Sequence, residues 1–315
     1  MKLAFVFPGQ GSQAVGMLSS FEDPAISRVL DRASAALSQD IGALIANGPA
    51  EDLNLTVNTQ PAMLVAGYAI YEAWRAAGGA IPALVAGHSL GEYTALTTAD
   101  ALTLEAAVRL VRFRASAMQE AVPVGVGAMA AIIGLSDDDV SRACETAAEG
   151  QVVEPVNFNA PSQVVIAGHK AAVERACAAA KQLGAKRALL LPVSAPFHSS
   201  LMQPAAERLR TYLATVPIKT PAMPLINNVD VAIESDPARI ADALARQAAG
   251  PVRWVEIVKS LASQGVTHIV ECGPGRVLTS LGKRIERRPE LRMLAVDDPD
   301  SLAAALTAAR EDKNA

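Results

Sequence analysis

The chain is short of aromatic rings, cysteine, histidine and long apolar runs, and each shortage excludes something. Aromatic residues make up 4% of its 315 residues, while alanine is frequent, which favours close helix-on-sheet packing over an aromatic-filled barrel. The three cysteines, Cys144, Cys177 and Cys272, are an odd number with no C-x-x-C spacing. They exclude a disulfide framework, suggest no metal site, and fit small core positions in a reduced, cytoplasmic compartment. The formal net charge is −4, so nothing global points to nucleic acid. The longest apolar stretch, Pro61 to Trp74, ends at Arg75 and Gly78-Gly79. It falls short of the about 20 residues a bilayer span needs and reads as a buried helix, with no membrane role expected. The N-terminus, Met1 to Phe7, starts at once as a strand and lacks the length and cleavage site of a secretory signal.

The most informative segment that is present is Gly87-His88-Ser89-Leu90-Gly91. An apolar run, Pro82 to Ala86, precedes it and a helix-compatible stretch, Glu92 to Leu96, follows it. Strand, sharp turn and helix are what a nucleophilic serine requires. The serine backbone at such an elbow is strained and tolerates only small neighbours, so Gly87 and Gly91 stand where the sterics demand them. The hydroxyl then clears the sheet, and the helix start can stabilise an oxyanion. The plainer reading is a glycine-rich turn that happens to hold a serine.

Strand and helix patterns alternate through most of the chain, which predicts an α/β fold with a mostly parallel sheet. A strand at Lys2–Phe7 runs into the loop Pro8-Gly9-Gln10-Gly11-Ser12-Gln13, and a helix is expected from Thr103 to Ala121. The middle differs. Gly127–Gly134, Val152–Asn159, Gln163–Gly168 and Ala185–Val193 read as strands, with helices at Ser136–Ala148 and Lys170–Leu183. That βαββαβ order is the split βαβ of ferredoxin-like units. Residues 125–195 are therefore expected to form a small inserted domain, and 1–124 with 196–315 a large α/β domain. After Pro196, strands are expected at Leu225–Asn227 and His268–Val270 and helices at Leu201–Leu213 and Arg253–Ser263. The polar end, Arg310 to Lys313, reads as a fraying helix.

A serine nucleophile needs a base, and the candidates are His88, His169, His198 and His268. His88 lies within the elbow and should point away from the reaction face; for His169 and His268 a structural role is the better reading. By elimination the base is His198, in a proline-interrupted loop at the junction of the two domains, where clefts form. Such a base acts when neutral, so acylation is expected to fall below the ordinary titration of an imidazole. No motif supplies an acid to orient it, and a neutral carbonyl is the economical alternative. In the helix around Leu110–Met118, Arg114 shares a stripe with Leu110, Phe113, Ala117 and Met118. An arginine there needs a carboxylate or phosphate. A buried salt bridge and an anionic substrate both remain open.

Six segments together resemble the malonyl-CoA:acyl carrier protein transacylase family. They are Phe7 to Gln13, Gly87 to Tyr93, Arg114 with Met118 to Pro123, Asn157 to Gly168, Pro196 to Met202, and Gln247 ahead of Pro251 to Trp254. The resemblance implies an α/β-hydrolase-like large domain with a ferredoxin-like small one. It implies Ser89 as nucleophile, His198 as base, and Gln247 as source of a backbone carbonyl that orients the imidazole. Gln10 and Leu90 would supply oxyanion-hole N–H groups, Arg114 would hold the malonyl carboxylate, and Asn159 would help shape the cleft. It further implies ping-pong transfer of malonyl to the phosphopantetheine thiol of acyl carrier protein, for fatty acid synthesis, by a cytoplasmic monomer without metal or other cofactor. Phe197 resembles the malonyl-preferring pattern of related polyketide acyltransferases. The rivals are a serine esterase or thioesterase, a polyketide-pathway acyltransferase, and a nucleotide-binding module at Gly9-Gln10-Gly11. The last lacks the third glycine of G-x-G-x-x-G and the Walker lysine.

Overall fold

The alternating pattern becomes two sheets in the computed structural model, which describes residues 1–311. The chain opens with β1 (Leu3–Phe7) and four helices, α1 (Pro24–Leu37), α2 (Ile41–Asn47), α3 (Ala50–Leu53) and α4 (Thr56–Ala76). Strand β2 (Leu84–Gly87), α5 (Gly91–Thr98) and α6 (Leu104–Glu120) follow. The middle holds β3 (Gly127–Ile133), α7 (Asp137–Ala148), β4 (Val153–Ala160), β5 (Gln163–His169), α8 (Lys170–Gln182) and β6 (Arg187–Leu190). The last third holds α9 (Gln203–Leu213), β7 (Leu225–Ile226), α10 (Pro237–Gln247), α11 (Trp254–Ser263), β8 (His268–Cys272), α12 (Val277–Ile285), β9 (Arg292–Val296) and α13 (Pro299–Glu311).

The larger sheet is parallel throughout, in the order β7-β2-β1-β8-β9. Every residue of β1, β2 and β8 is buried, as expected for strands covered by helices on both faces. The strand order reverses at β1, and in open α/β sheets ligands settle beyond the carboxyl ends of strands at such a point. The loops after β1 and β2, which carry Gln10 and Ser89, leave the sheet there.

The smaller sheet is antiparallel, in the order β4-β5-β3-β6. Helices α7 and α8 cover it through a separate apolar cluster that includes Ile132, Val140, Ile166 and Val173. Ser136 caps α7 by accepting from the Asp139 N–H, and Gly184 takes φ +96° where α8 stops. The loop between α10 and α11 is joined by backbone to β4 of the smaller sheet: the Val252 N–H donates to Val156 O at 2.8 Å and the Phe158 N–H to Val252 O at 3.0 Å. Met118, Met129, Phe197 and Met202 fill the seam.

Several elements differ from expectation. The strand expected at Ala185–Val193 is only Arg187–Leu190, because the Ala185 N–H still closes the end of α8 on Ala180 O and Pro192 has no N–H to offer a ladder. The helix expected from Leu201 begins as a 3₁₀ turn, Ser200–Met202, and becomes α-helical at Gln203 with Pro204 in its first turn, a position where proline costs no hydrogen bond. Elements α10, α12 and β9 were not expected. The polar C-terminal segment continues α13 to Glu311, while Asp312 and Lys313 lie outside the described residues. Among the described residues no helix is long and apolar enough to cross a membrane.

Candidate active site

The backbone at Ser89 takes φ +51°, the strained left-handed region that a nucleophile elbow imposes. Its glycines are dictated by contact. A Cβ on Gly87 would sit 1.9 Å from the Gly91 carbonyl carbon, and one on Gly91 would sit 2.0 Å from Phe7 O. Asn228, just after β7, braces the turn. Its Oδ1 accepts from the Ser89 N–H and its Nδ2 donates to Gly87 O, each at 2.7 Å.

Ser89 Oγ lies 2.7 Å from His198 Nε2. On the other side of the ring, His198 Nδ1 is 2.9 Å from the backbone carbonyl of Gln247. A carbonyl only accepts, so Nδ1 carries the proton and Nε2 is free to take one from Ser89. His198 has φ +68°, and its loop is tied down by Glu154 of β4, whose carboxylate accepts from the Ser200 N–H and hydroxyl at 2.7 and 2.8 Å. Burial, reinforced by the charge of Arg114, pulls the imidazole down from 6.5 to about 3, against the opposing effect of the Gln247 bond. Burial and the Arg114 charge both favour the neutral ring, which moves the expected acid limit on its action as a base below the ordinary imidazole value.

Arg114 is 2% exposed, and among the described residues it forms no ion pair. Its guanidinium donates to three neutral oxygens: Gln60 Oε1 at 2.8 Å, Gln247 Oε1 at 2.9 Å and Ser89 Oγ at 3.2 Å. It also lies over the Tyr93 ring, 5.2 Å from the centroid. The internal salt bridge that the sequence left open is not made. A buried cation held by amides keeps its attraction for an anion that enters the cleft.

A cavity of about 110 Å³ joins these groups, lined among others by Gln10, Ser89, Leu90, Arg114, Phe197 and His198. Among the described residues neither the Gln10 nor the Leu90 main-chain N–H donates to a protein acceptor. His88 points elsewhere: its Nε2 is 2.7 Å from Asn159 Oδ1 and its ring rests against Trp254, so Asn159 reaches the site through His88. His169 Nδ1 accepts from the Val152 N–H, and His268 Nδ1 lies 3.0 Å from Thr267 Oγ1.

Three participants were missed from sequence. Gln60 is buried in α4 and Asn228 after β7, and Glu92 is buried beneath the elbow, its carboxyl pushed up to about 7 by burial. Gln60 stands just before the apolar stretch that opens at Pro61, next to Asn58 and Thr59, where no sequence signal sets it apart.

Together these groups have the make-up of an acyltransferase of the serine type on an α/β fold: a serine hydroxyl bonded to a carbonyl-oriented histidine, with a cation beside that hydroxyl. Residues 4–298 match the acyl transferase domain family. The chain is 55% identical to the malonyl CoA-acyl carrier protein transacylase of Salmonella typhimurium over 97% of this chain and 99% of that one. It superposes on the acyl-carrier-protein S-malonyltransferase of Burkholderia pseudomallei with TM-score 0.95 and 63% identity, covering 98% and 100% of the two chains. A further solved structure holds a type II PKS acyl carrier protein in complex with its malonyl transacylase; its similarity is 50% identity, TM-score 0.96, and coverage of 98% and 100%. The chain belongs to the malonyl-CoA:acyl carrier protein transacylase family.

Proposed function

We propose that this acyltransferase moves malonyl from malonyl-CoA to the phosphopantetheine thiol of acyl carrier protein through a malonyl ester on Ser89. The observation that carries the reading is a buried, unpaired Arg114 whose Nη2 lies 3.2 Å from the nucleophile. His198 Nε2 takes the Ser89 proton as the oxygen attacks the thioester carbonyl. The Gln10 and Leu90 N–H groups receive the developing oxyanion, and Arg114 receives the substrate's free carboxylate. Collapse expels the CoA thiolate, which takes the proton from His198. The carrier thiol then gives its proton to His198 and attacks the ester, and Ser89 recovers a proton as it leaves. Fixing the acyl group by its carboxylate disfavours random attack by water.

We read 1–124 with 196–315 as an α/β-hydrolase-like domain and 125–195 as a ferredoxin-like insertion, supported by the βαββαβ order and the central places of β3 and β5. Acyl carrier protein as acceptor is supported by the carrier complex of the 50%-identical relative. That relative also favours a second reading, in which the acceptor serves polyketide rather than fatty acid synthesis; comparing kcat/KM for the two kinds of carrier separates them. Intact mass after mixing with malonyl-CoA should show one malonyl adduct, absent in Ser89→Ala, with little free malonate released when no carrier is added. An adduct retained in Ser89→Ala would overturn the assignment, and rapid malonate release would favour a thioesterase.

A further inference from the structure

Glu92 is a buried carboxyl group that the transfer steps above leave unused. It sits in the first turn of α5, 2% exposed. Its Oε2 accepts from the Asn228 N–H at 3.0 Å and from Gln247 Nε2 at 2.8 Å. The same Nε2 donates to the Ser89 carbonyl at 3.0 Å, while Gln247 Oε1 accepts from Arg114 Nη2 at 2.9 Å. A carboxylate and a carbonyl only accept, and a guanidinium only donates. The amide between them therefore has a single workable orientation. Glu92, Gln247 and Arg114 make an ion pair with an amide inserted. The inserted amide ties the cation to an acid without letting the acid close on it and quench it, and the same glutamine's backbone holds His198.

We propose that Glu92 is a positioning residue for substrate choice: through the Gln247 amide it fixes the Arg114 guanidinium beside Ser89. The proposal rests on the reading of Arg114 as the malonyl clamp. Losing Glu92 then weakens the preference for a carboxylated acyl group more than it weakens acyl transfer itself.

The test is the ratio of kcat/KM for malonyl-CoA to that for acetyl-CoA, measured on the full chain with holo acyl carrier protein. Glu92→Met, of similar length but with no acceptor, should lower the ratio by about tenfold or more, the scale of one hydrogen bond to a charged group. Glu92→Gln can present an amide oxygen to the same two donors and should restore most of it. Asn228→Ala removes the brace on the elbow and should lower both substrates in parallel, leaving the ratio unchanged. Should Glu92→Met not fold, Glu92→Asp, whose carboxylate is withdrawn by one methylene, carries the same expectation. An unchanged ratio in the variant that folds, or an equal loss of ratio in Asn228→Ala, overturns the role of Glu92. Arg114→Ala, measured alongside, separates the two ideas: if its ratio is also unchanged, the clamp reading itself has failed.

Discussion

The guanidinium of Arg114 lies 3.2 Å from the hydroxyl of Ser89. A cation this close to a nucleophile acts on three things at once. It favours negative charge on the serine oxygen, it helps hold His198 neutral, and on the proposed reading it would give the carboxylate of the incoming acyl group a fixed place.

The first consequence concerns pH. His198 is a base only when neutral, and burial together with Arg114 takes it to about 3. Its native value is depressed, so its activity as a base is present above that value and is lost as pH falls through it. kcat/KM for malonyl-CoA should therefore be flat, as far as this group governs it, from about pH 5 to 8, instead of falling near the imidazole's ordinary value. An acid limb centred near 6.5 that tracks His198 would mean a solvated ring. His198→Ala should slow acylation by roughly two to four orders of magnitude, read by rapid-quench mass spectrometry.

The elbow gives a test of folding. Gly91→Ala would press a methyl to 2.0 Å from Phe7 O, a backbone atom in the central strand, so nothing flexible can yield. Overpacking costs about 1–3 kcal/mol even where side chains adjust, and here the strand itself must shift. The variant should lose folded yield or show a clearly lower Tm. A wild-type Tm with full activity would mean that the turn is looser than its contacts indicate.

Glu92 links pH to stability in the opposite sense to a paired acid. Its native carboxyl is raised to about 7 from 4.5, so the native state holds more protons than the unfolded chain between those values. Its penalty is therefore full above pH 7 and relieved as pH falls towards 4.5. Glu92→Gln keeps an acceptor and never ionises. It should raise Tm over wild type at pH 8, with the gap closing towards pH 5. His198 is common to both proteins and cancels in the difference. A gap that widens in acid would contradict a penalised carboxylate.

The sequence made the elbow legible because its demands are local: small residues at Gly87 and Gly91, a strand before and a helix after. The βαββαβ unit was legible for the same reason, each element carrying its own periodicity and stop signal. His198 could be reached by elimination among four histidines, but its left-handed backbone could not, since that follows from a loop pinned by Glu154 from another sheet. The partners of Arg114 were beyond reach. Gln60 and Gln247 lie 54 and 133 residues away, and Asn228 meets Ser89 across 139. Amides in such networks leave no spacing pattern. Strand β9, partly exposed along most of its length, offered a weak pattern, whereas α10 did carry local signals that went unread: Asp236 as cap, Pro237 in the first turn, and Ile240, Ala243 and Leu244 on one face.

Arg114 decides between a malonyl transferase and an enzyme for neutral acyl chains. Its charge is held directly by Gln60, Gln247 and Ser89, with no carboxylate in direct contact among the described residues, so on the proposed reading a malonyl carboxylate would be its first direct anionic partner. Arg114→Ala then leaves that carboxylate unpaired in a closed cleft. Such a loss costs about 2–5 kcal/mol, a factor of roughly 30 to several thousand in kcat/KM for malonyl-CoA. Acetyl-CoA brings no carboxylate, so its transfer should be unchanged or improved, and the preference for malonyl should collapse or invert. Arg114→Lys should recover only part of it, because an ammonium cannot reproduce the guanidinium fork or span both glutamines. Parallel loss of both substrates in Arg114→Ala would instead make the arginine a prop for Gln247 and His198, and the clamp for the carboxylate would have to be sought elsewhere in the cleft.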